Sequence, residues 1–206
     1  SEGYQKQLSD LKSLDIDVAY DLFQKNVIAD FDVDTYIHSW SVDKKDLIIE
    51  KYKPKNHIIE AQRGPDDGIK DNIFSVWYSR QKALELAFNS NIDYDWFLIT
   101  RFDLGFYFPL QYNDYDPNNV ILAGEGRSVE VNDVYFLANR ENMKVISKTF
   151  DNLTKYGYSV ESRHGSREGG VHYTVGKYIR ENCSGTLQYV GSDRGTPPSI
   201  RLIRNG

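Results

Sequence analysis

The chain has 206 residues, and its 30 acidic side chains outnumber the 25 basic ones, leaving a formal net charge of −5. That length suffices for one sizeable core, and with no Lys/Arg cluster to offset it, the acidic balance argues against a nucleic-acid backbone as the main partner. Cys183 is the single cysteine, so no intramolecular disulfide forms, and no apolar run approaches the roughly 18 residues of a bilayer span. A cytoplasmic protein without a transmembrane segment is the expectation.

Along the chain, Leu8, Leu11, Leu14, Val18, Leu22, Phe23 and Val27 recur at near-helical spacing and predict a helix within 4–28. An Asp-rich turn (Asp30, Asp32, Asp34) leads into a short strand at 35–40. Residues 43–52 predict a helix stopped by Pro54, residues 57–60 a strand, and the Gly64–Gly68 cluster a loop. The strongest helix is 72–89, with Asn72 as its cap and Phe74, Trp77, Leu84, Ala87 and Phe88 as its apolar stripe. A buried strand follows at 95–100, then strands at 119–123 and 133–138. The remaining elements are a helix at 140–153, a polar loop at 157–168, a helix at 170–181 and a strand at 186–190. Strands alternating with helices predict an α/β layered sheet in one domain spanning 1–206.

Asp103 stands out by position, because it leaves the carboxyl end of the strongly apolar run Trp96–Thr100. Ligands of open α/β sheets bind just beyond such strand ends, where a carboxylate either holds a divalent cation or pairs with a neighbouring arginine, here Arg101. The spacing Asp-x-Asp by itself carries little, since it occurs at 15/17, 30/32, 32/34, 93/95 and 114/116. Asp93 and Asp95 precede the strand and read as turn residues. The chain has no Gly-x-Gly-x-x-Gly, no Walker-type loop and no Gly-x-Ser-x-Gly elbow.

Several segments taken together are more specific: Tyr36–Ser41, Tyr52–Lys55, Trp77–Leu84, Tyr94–Leu104 and Asn132–Phe136, in that order and spacing. They resemble the GT-A-fold glycosyltransferases of bacterial surface-polysaccharide clusters and of large viruses, including those of algae. The likeness runs over most of residues 20–180. It implies a single GT-A-like (Rossmann-like) domain whose central mixed, mostly parallel sheet is flanked by helices. It further implies transfer of a sugar from a nucleoside-diphosphate sugar, with UDP as the expected nucleotide, to a glycan, glycoprotein or other hydroxyl acceptor in polysaccharide biosynthesis. The setting would be the bacterial cytoplasm, or that of a host cell for a viral protein.

In that family the last Asp of an Asp-x-Asp at the end of a central strand coordinates Mn²⁺ or Mg²⁺. The resemblance puts Asp103 in that role, with Arg101 standing where the first carboxylate would be. Arg101 then either contacts phosphate in bidentate fashion or holds a nearby carboxylate. Asn132 and Asp133 match the shelf that holds the donor sugar; otherwise they form a turn and a cap. Glu168 has the chemistry of the base that an inverting transfer needs, or is simply an acid favoured near a helix N-terminus. Arg163 and Arg167 would stabilise the departing diphosphate or are solvated loop charges, and His172 is a third ligand or a packed residue. Trp40 either stacks on a ring or packs in the core, and Arg80 and Lys82 reach phosphate if their helix end faces the cleft. A second class of function stays open: a degenerate transferase domain that binds a glycan or partner without turnover.

Overall fold

The computed structural model describes residues 16–123, 130–161, 168–190 and 200–202. Helix α1 (Ile16–Phe23) runs into a wider helical turn over Gln24–Ile28, and strand β1 (Tyr36–Ser39) follows. A short tight turn at Val42–Lys44 enters α2 (Lys45–Tyr52), which ends as Lys53 adopts a left-handed conformation just before Pro54. Strand β2 (Asn56–Ile59) pairs with β1 in parallel, Tyr36 opposite Asn56.

Helix α3 (Asn72–Phe88) is the longest element described. Asp71 caps it, not Asn72 as the sequence suggested: the Asp71 Oδ1 accepts the Ile73 and Phe74 amides at 2.8 and 3.0 Å, while its other oxygen takes the Tyr158 hydroxyl. Extended backbone at Asp71 points its carboxylate at the free amides of the first turn. Trp77, Leu84 and Ala87 of the predicted stripe are buried, but so are Ser75, Tyr78, Arg80 and Gln81, because this helix is covered on more than one side.

Strand β3 (Phe97–Ile99) turns at 101–103 into β4 (Leu104–Phe106). Then come β5 (Val120–Ala123), β6 (Phe136–Ala138), α4 (Arg140–Ser147), α5 (Thr149–Asn152), α6 (Val171–Asn182), β7 (Leu187–Val190) and β8 (Ile200–Leu202). Asn139 caps α4 by accepting the Asn142 amide. The predicted helix 140–153 is broken at Lys148, and β4 and β8, unpredicted, form a separate antiparallel pair.

The architecture is mixed α/β. The main sheet has the order β3-β6-β5-β7, in which β3–β6 and β6–β5 are antiparallel and only β5–β7 is parallel. The expectation of a mostly parallel sheet is therefore corrected to a mixed one. Strand β6 inserts between β3 and β5 against both, whereas β5 and β7 are joined through α4, α5 and α6, the kind of crossover that parallel pairing requires.

Period-two alternation divides the core between the faces of this sheet. Val120, Leu122, Phe136 and Ala138 pack with α3, α4 and α6; Ile121, Ala123 and Leu137 pack on the other side with Leu104, Phe106 and Val27. Each fully buried aliphatic or aromatic side chain contributes about 1.5–3 kcal/mol, so the sheet is fixed from both faces. No helix among the described residues is long and apolar enough to cross a membrane.

Candidate functional site

Two strands of different sheets flank a cleft of about 1100 Å³. Tyr36 at the start of β1 and Tyr94 just before β3 join through their hydroxyls at 2.7 Å. Towards the other end of β1, His38 bonds Ser79 of α3, and the following residue, Arg80, faces the segment beyond β3. The carboxyl ends of both strands thus converge beside Arg80, and there the charged residues singled out in the sequence collect.

Arg101 and Asp103 lie on the turn after β3. Arg101 donates from Nε and Nη2 to the two Asp103 carboxylate oxygens at 2.7 and 2.6 Å. The Asp103 side chain is 17% exposed and that of Arg101 37%, so the pair sits on the rim, outside the apolar core. Burial disfavours the Arg101 charge, but the Asp103 hydrogen bonds and the carboxylates of Asp103 and Asp133 outweigh it and raise its pKa.

Beneath this rim lies a second Arg–Asp pair. Arg80 is 5% exposed; its Nη2 donates to the Asp133 backbone carbonyl, and its Nη1 lies 3.6 Å from the Asp133 carboxylate without a hydrogen-bond partner. The guanidinium also sits over the Trp77 ring, 4.4 Å from the centroid. Burial pushes the Arg80 pKa down to about 10, with Asp133 opposing the shift and Arg101 adding to it. At neutral pH it remains a cation. Asp133, expected inside a strand, precedes β6, and its second oxygen is 3.9 Å from His172 Nδ1 in the first turn of α6. That same nitrogen is 2.9 Å from the Val131 carbonyl, which fixes its proton there.

The structure therefore unites Arg80, Arg101, Asp103, Asp133 and His172. Asn132 is exposed beside Asp133, and Glu168 is exposed on the turn ahead of α6. Arg163 and Arg167 lie outside the described residues. Trp40 is packed: it stacks on Tyr78 at 5.4 Å with an interplanar angle of 21° and meets the His38 ring edge-on. Lys82 is engaged with Glu85 and lies over Tyr78. Among the described residues no group of three or more His, Cys, Asp or Glu side chains converges as a metal cage.

The sequence reading missed a neighbouring polar cluster. His38 Nδ1 is 2.9 Å from Ser79 Oγ and its Nε2 is 3.2 Å from Glu60, whose other oxygen accepts from Arg63. Burial lowers the His38 pKa against the pull of Glu60, so the ring is neutral at pH 7. The signal available for it was His38 inside an apolar strand, since a buried titratable group requires polar partners, here Ser79 and Glu60. Comparison with protein-family models and with curated proteins finds no match to this chain.

Proposed function

We propose that the chain transfers a sugar from a nucleoside-diphosphate sugar, with UDP as the favoured nucleotide, to a hydroxyl acceptor such as a glycan or glycoprotein. The reading rests on the resemblance stated above, and one geometric observation carries it furthest. Beyond the converging ends of β1 and β3, two guanidinium groups and two carboxylates gather, and the outer pair is open to solvent. Such a cluster suits a diphosphate: Arg101 offers a planar fork that can exchange Asp103 for phosphate oxygens.

Hard divalent cations bind through one or two carboxylates plus substrate phosphates and need no all-protein cage. Asp103 and Asp133, both partly exposed carboxylates next to Arg101, fit that donor set, with Asp103 as the principal ligand. Bound there, Mn²⁺ or Mg²⁺ would supply electrophilic assistance to the leaving diphosphate. Asp133, oriented by Arg80, holds the transferred sugar, with Asn132 alongside. In an inverting reaction the acceptor oxygen bonds to the anomeric carbon, the bond to the diphosphate breaks, and Glu168 takes the acceptor proton. Trp40, packed against His38 and Tyr78, does not stack on the base.

A second reading, a glycan- or partner-binding module without turnover, is favoured by the engagement of both Asp103 oxygens with Arg101. Calorimetry with UDP, with and without Mn²⁺, separates the two. Metal-dependent binding that disappears in Asp103→Asn supports the transferase; no binding to the wild-type chain under either condition removes it. Glu168→Gln is expected to keep donor binding and slow transfer, and unimpaired turnover would eliminate Glu168 as the base.

A further inference from the structure

The rim of the site is closed upon itself. Both Asp103 oxygens are taken by Arg101 in a planar two-pronged contact, Nε at 2.7 Å and Nη2 at 2.6 Å. Asp103 thus offers a cation only engaged lone pairs with a guanidinium charge beside them. Arg101 offers an anion a fork already filled, with a carboxylate charge beside it. The two residues lie two positions apart on the turn between β3 and β4 and are partly open to solvent, so the contact can part without disturbing either strand. The inner pair has no such freedom, because Arg80 is buried over Trp77 and donates to the Asp133 carbonyl. A carboxylate at position 101 would draw a divalent cation to this turn by itself; an arginine does the reverse.

We infer that the Arg101–Asp103 contact is a lock, through which the site accepts a divalent cation and a diphosphate together and disfavours either one alone. The inference rests on the transferase reading and adds a regulation to it. A lone cation on Asp103 leaves Arg101 without its carboxylate, and a lone phosphate on Arg101 leaves Asp103 without its guanidinium. The two ligands together give both side chains a new partner, so each lowers the cost of admitting the other. Such coupling is reciprocal: the factor by which diphosphate raises cation affinity is the factor by which the cation raises diphosphate affinity. For a bidentate pair at a partly exposed rim, the share contributed by the lock is about three- to tenfold.

The probe is Mn²⁺ alone, and the readout is the Mn²⁺ retained by the 206-residue chain in equilibrium dialysis. Arg101→Lys keeps the positive charge but cannot form the two-pronged contact, and Arg101→Gln removes both. The Mn²⁺ Kd is expected to fall about threefold in Arg101→Lys and about tenfold in Arg101→Gln. Adding Asp103→Asn to either variant should abolish the gain, which sets this carboxylate apart from the other acidic side chains. Equal Kd values for wild type and Arg101→Lys would overturn the inference, because charge without the contact then explains the site. A gain that survives Asp103→Asn would overturn it too. Dialysis with UDP present separates this outcome from failure of the transferase reading. If UDP makes the wild-type chain retain Mn²⁺ but the Arg101 variants gain nothing without UDP, the lock is wrong and the reading stands. If no chain retains Mn²⁺ even with UDP, both fall.

Discussion

The candidate site holds two Arg–Asp pairs that differ in an instructive way. The outer one, Arg101–Asp103, has the better geometry, two short parallel hydrogen bonds, yet it faces water. The inner one, Arg80–Asp133, has a longer carboxylate contact of 3.6 Å, but its cation is sealed against Trp77 and Phe136. The carboxylates are about equally exposed, at 17% and 16%, so the contrast lies in the cations: Arg101 keeps contact with water, whereas Arg80 has none to fall back on. Good geometry at the surface makes a pair that a ligand can exchange; burial makes one that the fold cannot release.

The largest test of that contrast is Arg80→Ala. It empties the buried space against Trp77 and Phe136 that the Arg80 side chain fills and removes the partner of the Asp133 backbone carbonyl, and should cost about 2–4 kcal/mol in urea-induced unfolding; a loss as small as a surface substitution would erase the distinction between the pairs. Next is Asp71→Ala, which touches neither pair but removes the cap of the helix that carries Arg80. A loss of about 1–2 kcal/mol is expected, since two amides and the Tyr158 hydroxyl lose their acceptor; an unchanged urea midpoint would show that packing alone holds that helix end.

His38 sharpens the comparison by pH. Its folded pKa lies below the ordinary value of 6.5, so below about pH 6.5 the unfolded chain takes up a proton that the folded ring resists. Its contribution to stability is therefore present above that pH and declines as pH falls towards the folded pKa. His38→Gln should flatten this part of the stability–pH curve, and an unchanged slope between pH 7 and 5 would assign the effect to other groups. The smallest effect is expected for Arg101→Ala, about 0–1 kcal/mol. High salt should shrink it further while leaving the Arg80→Ala loss nearly intact. A large loss from Arg101→Ala would mean that the rim pair is structural.

Much of the fold was readable in order. The apolar runs at 97–99, 120–123 and 187–190 and the stripe of α3 sit where periodicity placed them, because burial is written locally as a repeat of two or of 3.6. Residues 104–106 and 200–202 were not read as strands; they are strands by virtue of pairing with each other across nearly a hundred positions of chain. The cap moved by one residue because Asn72 and Asp71 are both good caps and backbone direction chose between them. Position after an apolar strand was enough to single out Asp103. Its hydrogen bonds to Arg101, one of the two readings the sequence left open, are seen only in three dimensions.

The sequence by itself determined an acidic α/β chain with a carboxylate at the end of a buried strand, because composition and periodicity are local properties. Tertiary structure decided that β6 lies antiparallel between β3 and β5, that Arg80 faces Asp133 across 53 positions of chain, and that β1 and β3 end up on either side of an open cleft. Those outcomes depend on which surfaces far apart in the chain bury one another, and no short window of residues encodes that.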